Sequence, residues 1–290
     1  MLWDAFFAEA YRLARSRTTW FWSVFFVPIL GLVGAVIGNA AIKVAGPSMT
    51  ADGKASPEMA ALLTGGPVDI GKSLIETAGD LSNPVILLFV LIGAATLYAG
   101  DYRWETWRLI SARNSRDNLI LGKVGVLKLL ALAAMIVALI GNVGEELIKA
   151  MVLSRPLVFT MDGAAFGKMV MLFGLSWLCI IQFTMMGLLT AVMSRSLLAA
   201  LFVPLVVGVA QTLSPQPLML MGVMPDSWLA VMINPGAGAG AIKALIEGGA
   251  AAKMLPDGLV LKSVLSLTVW MLVPLIGALA WFRRQDLSKE

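Results

Sequence analysis

The residues Gly66, Gly71, Lys72 and Ser73 have the spacing of a phosphate-binding loop, G-x-x-x-x-G-K-S. Such a loop holds phosphates with backbone N–H groups and a lysine, and it needs a buried strand before it and a helix after it. The preceding segment, ASPEMAALLT, contains no β-branched apolar strand, and no acidic residue following such a strand is present to hold Mg²⁺. We therefore expect a glycine–proline turn that leads into a short surface helix, KSLIETAGDL, and no nucleotide site.

Other residue types that carry chemistry are scarce in this chain. Histidine is absent from the 290 residues, and Cys179 is the one cysteine. The commonest general base is therefore missing, and a lone cysteine forms neither an internal disulfide nor a cysteine metal cluster. Glu145 and Glu146 are adjacent and would point apart on a helix, so we interpret them as part of a solvated outer loop. These residue types predict no enzymatic site and no metal site.

The composition indicates a membrane protein. The chain is 59% hydrophobic and 14% charged, with a mean hydropathy of +0.85, whereas soluble domains are about 25% charged. A bilayer core needs about 20 mostly apolar residues per helix. Six such runs predict an all-α integral membrane protein that forms a single transmembrane domain over residues 1–290. The predicted spans are 20–42, 84–100, 124–142, 168–192, 197–213 and 262–282.

The distribution of arginine predicts how these spans are oriented. Six spans place both termini on one side of the membrane. Ten of the eleven arginines lie in the N-terminal segment, the 101–123 loop, the 193–196 loop or the C-terminal tail. Because basic residues favour the cytoplasmic side, we expect both termini in the cytoplasm and the loops 43–83, 143–167 and 214–261 outside.

The N-terminal stretch DAFFAEAYRLARSRTTW predicts an amphipathic helix that lies in the membrane interface, like an elbow before the first span. At about 100° per residue, Asp4, Glu9, Arg12 and Arg15 share a polar face. The opposite face consists of Trp3, Phe6, Phe7, Ala10, Leu13 and Ala14. A simple anchoring helix is the alternative interpretation.

The predicted spans contain neutral polar side chains and almost no ionisable ones. Lys128 lies one turn inside the third span and can extend its ammonium to the interface, and no Asp or Glu lies inside any span. Ion-coupled transporters usually carry ionisable residues there, so the sequence favours an energy source on another chain. The neutral residues are Asn39, Asn142, Gln182, Thr184, Thr190 and Gln211. Each could instead join helices by hydrogen bonds, and Gln182, the best placed near mid-membrane, is the candidate for a translocation path.

The 101–123 segment, DYRWETWRLISARNSRDNLILGK, is the most informative loop. It carries five basic residues, three acidic residues and two tryptophans. Residues 101–112 can form a helix with charges of both signs and aromatic anchors, which suits a protein-docking surface. An ordinary positive loop with interfacial tryptophans is the alternative.

This segment resembles the corresponding loop of type-2 ABC-transporter permeases. The family pattern is an acidic residue, a Gly-Thr or similar pair, an apolar pair, a Ser-Arg turn and a Gly-Lys before the third span. The matching residues are Asp101 or Glu105, Thr106, Leu109-Ile110, Ser115-Arg116 and Gly122-Lys123. Trp104 and Trp107 replace smaller residues, and Glu105 stands where a glycine is usual. The elbow helix, the six spans and the stretch WLAVMINPG (228–236) extend the resemblance over the whole chain.

The resemblance implies the permease subunit of an ATP-driven exporter, with a type-2 exporter-like fold, in the bacterial inner membrane. This chain would bind no cofactor, because two copies of a separate ABC ATPase subunit would bind ATP and Mg²⁺ and dock on the 101–123 loop. A second permease chain, identical or paralogous, and membrane lipids would be its other partners, with no nucleic acid. The outer segment 214–261 would form short helices that dip into the outer leaflet.

The resemblance also implies which residues couple the chain to the ATPase. The coupling residues would be Asp101, Arg103, Trp104, Glu105, Thr106, Trp107, Arg108, Ser111, Arg113, Ser115 and Arg116. Glu9 and Arg12 of the elbow helix would make secondary contacts. A membrane scaffold or assembly factor without transport of its own is the alternative function. A secondary transporter or a membrane enzyme is a third, against which the missing histidine and intramembrane charges count.

Overall fold

The computed structural model of the chain describes residues 2–51, 65–103, 107 and 114–285, and helices dominate this part of the chain. Five of its helices are long and apolar enough to cross a membrane, as an all-α membrane protein requires. They are Arg17–Ala45, Pro84–Tyr102, Arg116–Val152, Gly163–Ser194 and Leu259–Arg284. A sixth apolar helix, Leu197–Leu213, has 17 residues. A helix therefore covers each of the six apolar runs that the sequence predicts.

The elements are numbered here in chain order. The N-terminal part contains α1 (Leu2–Arg15), α2 (Arg17–Trp20), a π-helical turn (Phe21–Phe25) and α3 (Phe26–Ala51). The central part contains β1 (Val68–Asp69), α4 (Ile70–Asp80), α5 (Pro84–Arg103), α6 (Arg116–Val152), β2 (Leu157–Val158), α7 (Gly163–Ser194) and α8 (Leu197–Leu213). The remainder contains α9 (Pro215–Leu220), α10 (Trp228–Ile233), α11 (Pro235–Glu247), α12 (Gly249–Lys253) and α13 (Leu259–Arg284).

The long helix α6 organises the N-terminal half of the bundle. Its 37 residues extend about 55 Å, well beyond the roughly 30 Å of a bilayer core. Near its start a Cβ added at Gly122 would lie 3.0 Å from the carbonyl carbon of Ala5, and near its end a Cβ at Gly141 would lie 2.8 Å from the Cβ of Pro28. Glycine therefore lets α1 and α3 approach two different stretches of the same helix.

The helices run further than the apolar runs that predict them. Since α5 continues to Arg103 and α6 begins at Arg116, Asp101 lies in the helix of the second predicted span and Lys123 in that of the third, rather than in a separate connecting segment. At its other end α6 continues through Glu145 and Glu146, so their assignment to a solvated loop is wrong. Glu146 is stabilised there by contacts within the chain, accepting hydrogen bonds from the Ser73 hydroxyl and the Lys149 ammonium group.

The segment after Gly66 forms a packed structure. Strands β1 and β2 pair in parallel, with Val68 opposite Leu157, and α4 follows directly. The predicted helix KSLIETAGDL is confirmed, although it begins two residues earlier and is more than a surface helix. Gly71 and Ala78 are buried, and the Ser176 hydroxyl of α7 donates a 2.8 Å hydrogen bond to the Ala78 carbonyl.

The segment 214–261 contains the short helices that the resemblance implies. Asn234 ends α10 and caps α11, where its side-chain oxygen accepts the N–H of Ala237 and Pro235 occupies the first turn. Two side chains of α13 hold α10 in place, because Ser266 Oγ and Trp270 Nε1 donate to the carbonyls of Val231 and Met232.

Candidate functional site

Four charged side chains from three helices meet at one end of the bundle. Lys123 Nζ lies 2.9 Å from Glu9 Oε1 and 2.5 Å from Asp101 Oδ2. Arg12 Nη1 lies 3.0 Å from Asp101 Oδ1 and 3.1 Å from Glu9 Oε1. The side chains of Lys123 and Asp101 are fully buried, while that of Arg12 is half-exposed. These four residues are called the ion cluster below, and their formal charges sum to zero.

Helix geometry explains how α1 contributes to the ion cluster. Ala5, Glu9 and Leu13 are four residues apart, so they share the face of α1 that is buried. The prediction that Glu9 belongs to the polar face is therefore wrong: it lies on the buried face, where Lys123 compensates its charge. Gly122, next to Lys123, brings the backbone of α1 close enough for this contact.

An aromatic group covers the ion cluster on the side of the C-terminal helix. Lys123 Nζ lies 5.3 Å from the centroid of the Trp107 ring, within the range of a cation–π contact. Trp107 is fully buried, with ring centroids of Tyr102 and Phe282 at 5.5 and 4.6 Å. The end of α13 is thereby joined to the same site.

Arg116 makes a second connection between the start of α6 and the end of α13. Its Nη1 donates hydrogen bonds to the carbonyls of Phe282, Arg283 and Gln285, at 3.0, 3.0 and 2.6 Å. The last carbonyls of a helix carry partial negative charge, so a guanidinium is well suited to cap them, and the Phe282 carbonyl also accepts the N–H of Gln285 at 3.3 Å. Beside it, Arg283 and Asp117 form a bidentate ion pair, with Nε–Oδ1 at 2.8 Å and Nη2–Oδ2 at 2.5 Å.

The structure divides the predicted coupling residues into two groups. The side chains of Asp101, Trp107 and Arg116 contact other parts of this chain, and the hydroxyl of Ser115 caps α6. Arg103 ends α5. The remaining predicted coupling residues, Trp104, Glu105, Thr106, Arg108, Ser111 and Arg113, lie outside the described residues. The predicted elbow contacts, Glu9 and Arg12, belong to the ion cluster.

Sequence reasoning missed Lys123 as a member of this site. The available signal was an acid at the end of the second span and a lysine at the start of the third, at matching depth in antiparallel neighbours. An acid and a lysine at the same depth in neighbouring helices can form an ion pair, provided that both helices continue beyond the apolar residues of the spans.

The stretch with phosphate-loop spacing uses its backbone amides within the chain. Asp69 Oδ1 accepts the N–H groups of Gly71 and Lys72, at 3.0 and 3.3 Å, so a side-chain carboxylate occupies the start of α4. A Cβ at Gly71 would meet the backbone of Thr160. The Thr160 hydroxyl, followed by the backbone N–H groups of Thr160, Lys72 and Gly71, holds the pKa of Asp69 below its usual value.

Gln182 lines a cavity of about 430 Å³ between α5, α7, α8 and the junction of α10 with α11. Its side chain is buried, and Nε2 has no hydrogen-bond partner among the described residues. Gln211 of α8 lines the same cavity. Its side chain is also buried, and its Nε2 also has no hydrogen-bond partner among the described residues. The predicted translocation candidate therefore lies beside a cavity, together with a second buried carboxamide from the predicted polar set.

A larger cavity of about 720 Å³ lies between α3, α4, α5 and α6 and is lined in part by Glu76, Asp80 and Glu145. In the part of the chain that the structure describes, no three Asp, Glu, Cys or His side chains are grouped as a metal ion would require. The cavity beside Gln182, by contrast, has no Asp, Glu, Lys or Arg in its wall.

No protein-family model matches the chain, and no curated protein matches it.

Proposed function

We propose that the chain is the transmembrane permease subunit of an ATP-driven exporter of the type-2 ABC class. It would cross a bacterial inner membrane six times with both termini in the cytoplasm. ATP hydrolysis would take place on a separate ABC ATPase subunit, present in two copies beside two permease chains. The observation that carries this proposal is the ion cluster, which joins α1 to the two helix ends that flank the 104–115 segment.

A chain that receives its energy from a partner needs a rigid path from the docking surface into its helices. Asp101 and Lys123 lie on either side of the 104–115 segment, which is called the docking segment below, and their ion pair is completely desolvated. Separating such a pair costs several kcal/mol, because each buried charge would lose its compensation. The ends of α5 and α6 are therefore expected to move together when the segment between them is displaced.

Further contacts join this ion pair to the elbow helix α1 and to the C-terminal helix α13. Glu9 and Arg12 connect α1 to the pair, and Trp107 and Arg116 connect α13. A partner that pushes on the docking segment would thus act on four helix ends as one body. This arrangement suits an externally driven permease better than a passive scaffold, which has no need to transmit displacement.

The test is a pull-down of the tagged chain from its native cell in mild detergent, followed by an ATPase assay. We expect an ABC ATPase subunit to copurify and the activity to require that subunit's own phosphate-binding lysine. Charge reversal in the docking segment, Glu105→Lys with Arg108→Glu, should lower the coupled ATPase rate about tenfold without unfolding the spans. The matched control, Lys72→Ala, changes a charge in the phosphate-loop stretch and should leave the rate unchanged.

The alternative function, a membrane scaffold or assembly factor, predicts a different result. The chain would then copurify without an ATPase, and no activity would depend on nucleotide. A loss of ATP binding in Lys72→Ala would instead contradict the proposed orientation, because that lysine lies in a loop assigned to the outside.

A further inference from the structure

The cavity beside Gln182 contains two buried polar groups that folding alone does not explain. Gln182 and Gln211 are 2% and 5% exposed, and the Nε2 group of each has no hydrogen-bond partner in residues 2–51, 65–103, 107 and 114–285. A buried amide without a partner is costly, so unpaired groups of this kind are rare in folded proteins. Two of them beside one cavity are well placed to bind a hydrogen-bonding molecule.

We propose that this cavity binds an uncharged amphiphile, whose ester, amide or hydroxyl group is held by the carboxamides of Gln182 and Gln211. A carboxamide offers both donors and an acceptor, and rotation about its terminal bond exchanges their places. Each glutamine can therefore serve a carbonyl or a hydroxyl of the ligand. The proposal concerns binding by this chain itself and stands independently of an ATPase partner.

A third carboxamide in the same wall provides an internal comparison. Asn234 is also buried, but its Nδ2 donates to the Gln211 carbonyl at 2.8 Å and its Oδ1 accepts the N–H of Ala237 at 3.0 Å. Its polar atoms therefore maintain the junction of α10 with α11. Gln182 and Gln211 have no comparable structural task for their amide groups.

The rest of the wall defines the chemistry of the ligand. Aspartate, glutamate, lysine and arginine are all absent from the lining residues, so a charged head group would lose its hydration without gaining a counter-charge. Most of the surface is apolar and would hold a hydrocarbon chain. The apolar wall includes Leu87, Phe183, Leu205, Val209 and Leu213. The volume, about 430 Å³, lies within the range typical of small-molecule sites.

The position of the cavity provides a route of entry for such a molecule. Val209 and Leu213 line the cavity on α8 and are 60% and 66% exposed at the surface of the bundle. Their helix is apolar up to Gln211 and Thr212 near its end, so this surface suits contact with lipid. An amphiphile could therefore pass from the bilayer into the cavity without crossing an aqueous region.

The probe for this proposal is monooleoylglycerol that carries a photoreactive diazirine in its chain. The full-length chain, purified in detergent, is irradiated with the probe, and labelled peptides are mapped by mass spectrometry. We expect labelling in α7 and α8 around the cavity. Unlabelled monooleoylglycerol should compete at least about tenfold more effectively than oleate or oleylamine, which share the chain length but carry a charge.

Replacement of either glutamine separates ligand binding from stability. Gln182→Leu and Gln211→Leu should each reduce labelling about tenfold, while the melting temperature stays the same or rises, because an unpaired buried amide is removed. Gln216→Leu, at an exposed position of α9, is the matched control. Ala239→Phe, which fills the cavity from α11, should also exclude the probe.

Three results would overturn the proposal. Equal labelling of the wild type and both leucine variants would show that the carboxamides hold no ligand. Equal competition by oleate would show that the probe reports general lipid contact rather than a neutral site. A fall in melting temperature in both leucine variants, with Ala239→Phe still labelled normally, would assign the amides a structural role instead.

Discussion

Lys123 must be satisfied without water, because its side chain is fully buried. An ammonium group has three donors, and three acceptors lie within reach: Glu9 Oε1 at 2.9 Å, Asp101 Oδ2 at 2.5 Å and the Leu97 carbonyl at 3.0 Å. The Trp107 ring covers a further side. A buried pair of this kind contributes little net stability, but removal of one partner leaves an uncompensated charge, which is strongly destabilising.

Removing this ammonium group should therefore destabilise the bundle. Lys123→Met keeps the length of the side chain and should lower the free energy of unfolding by about 3–5 kcal/mol, measured by thermal denaturation in detergent. Lys128→Met, one turn further along α6 and partly exposed, is the matched control and should have a small effect. Adding Asp101→Asn to Lys123→Met should recover part of the loss, since it restores a net charge of zero. Equal effects of the two lysine substitutions would contradict this account of the ion cluster.

The sequence indicated some side chains of the candidate site better than others. The family resemblance indicated Asp101, Glu9 and Arg12, and Gln182 was indicated by its depth in a span. The sequence did not indicate that Lys123 would pair with two of them, because side-chain partners are determined by tertiary packing. The unpaired amide of Gln211 was likewise not predictable, since satisfaction of a buried group depends on every neighbour.

Among the helices, α6 depends on glycines where it crosses its neighbours. Gly122 and Gly125 face α1, where an added Cβ would meet Ala5 and Phe6, and Gly141 and Gly144 face α3, where it would meet Pro28 and Leu32. Small residues at helix crossings allow close backbone approach, which is the main source of packing energy between helices in a membrane. The two pairs are therefore contact surfaces rather than flexible points.

A methyl group at one of these crossings should push two helices apart. Gly141→Ala places a Cβ 2.8 Å from the Cβ of Pro28, whose ring cannot move aside, so we expect a loss of about 1–3 kcal/mol in thermal unfolding. Gly174→Ala on α7 is the control, because a Cβ there meets no atom within 4 Å. The control should be neutral or stabilising, since alanine favours helix over glycine by up to about 1 kcal/mol. A stabilised Gly141→Ala variant would contradict the close crossing of α3 and α6.

The sequence predicts which segments form helices, but it does not predict where those helices end. Apolar runs of about 20 residues are a strong signal, and each of the six runs is helical. The ends of α5 and α6 extend beyond those runs because charged residues there find partners on other helices: Asp101 pairs with Lys123 of α6, and Glu146 accepts a hydrogen bond from the Ser73 hydroxyl of α4. Hydropathy stops at the first charges and therefore places the ends too early.

Different contacts stabilise the two ends of the helix bundle. At one end, Arg116 and Lys123 join the helix ends through buried or capping contacts. At the other, the β1–β2 pair, Asp69 with Thr160, and Arg155 with the Gly66 carbonyl connect separate segments. The first end is the one that we propose to be cytoplasmic, in agreement with its excess of arginine.

The 17-residue helix α8 determines the topology of the chain. It extends about 25 Å, a little less than the roughly 30 Å bilayer core, so a crossing would require local thinning or flanking interfacial residues. Four longer apolar helices precede it, which would return the chain to the side of its N-terminus. If α8 crosses, the segment after it lies on the opposite side from α1. If it does not, both lie on the same side.

Cysteine labelling distinguishes these topologies. In a Cys179→Ala background, Arg15→Cys reports on the end of α1, and Met254→Cys, at a position that is 82% exposed, reports on the segment before α13. We expect a membrane-impermeant maleimide to label Met254→Cys on intact spheroplasts, and to label Arg15→Cys only after permeabilisation, because α8 is apolar over most of its length and arginine favours the cytoplasm. The unmodified chain is the control, since its buried Cys179 should react slowly from either side. Labelling of both variants from the same side would show that α8 does not cross, and the exporter-like arrangement of six spans would then be wrong.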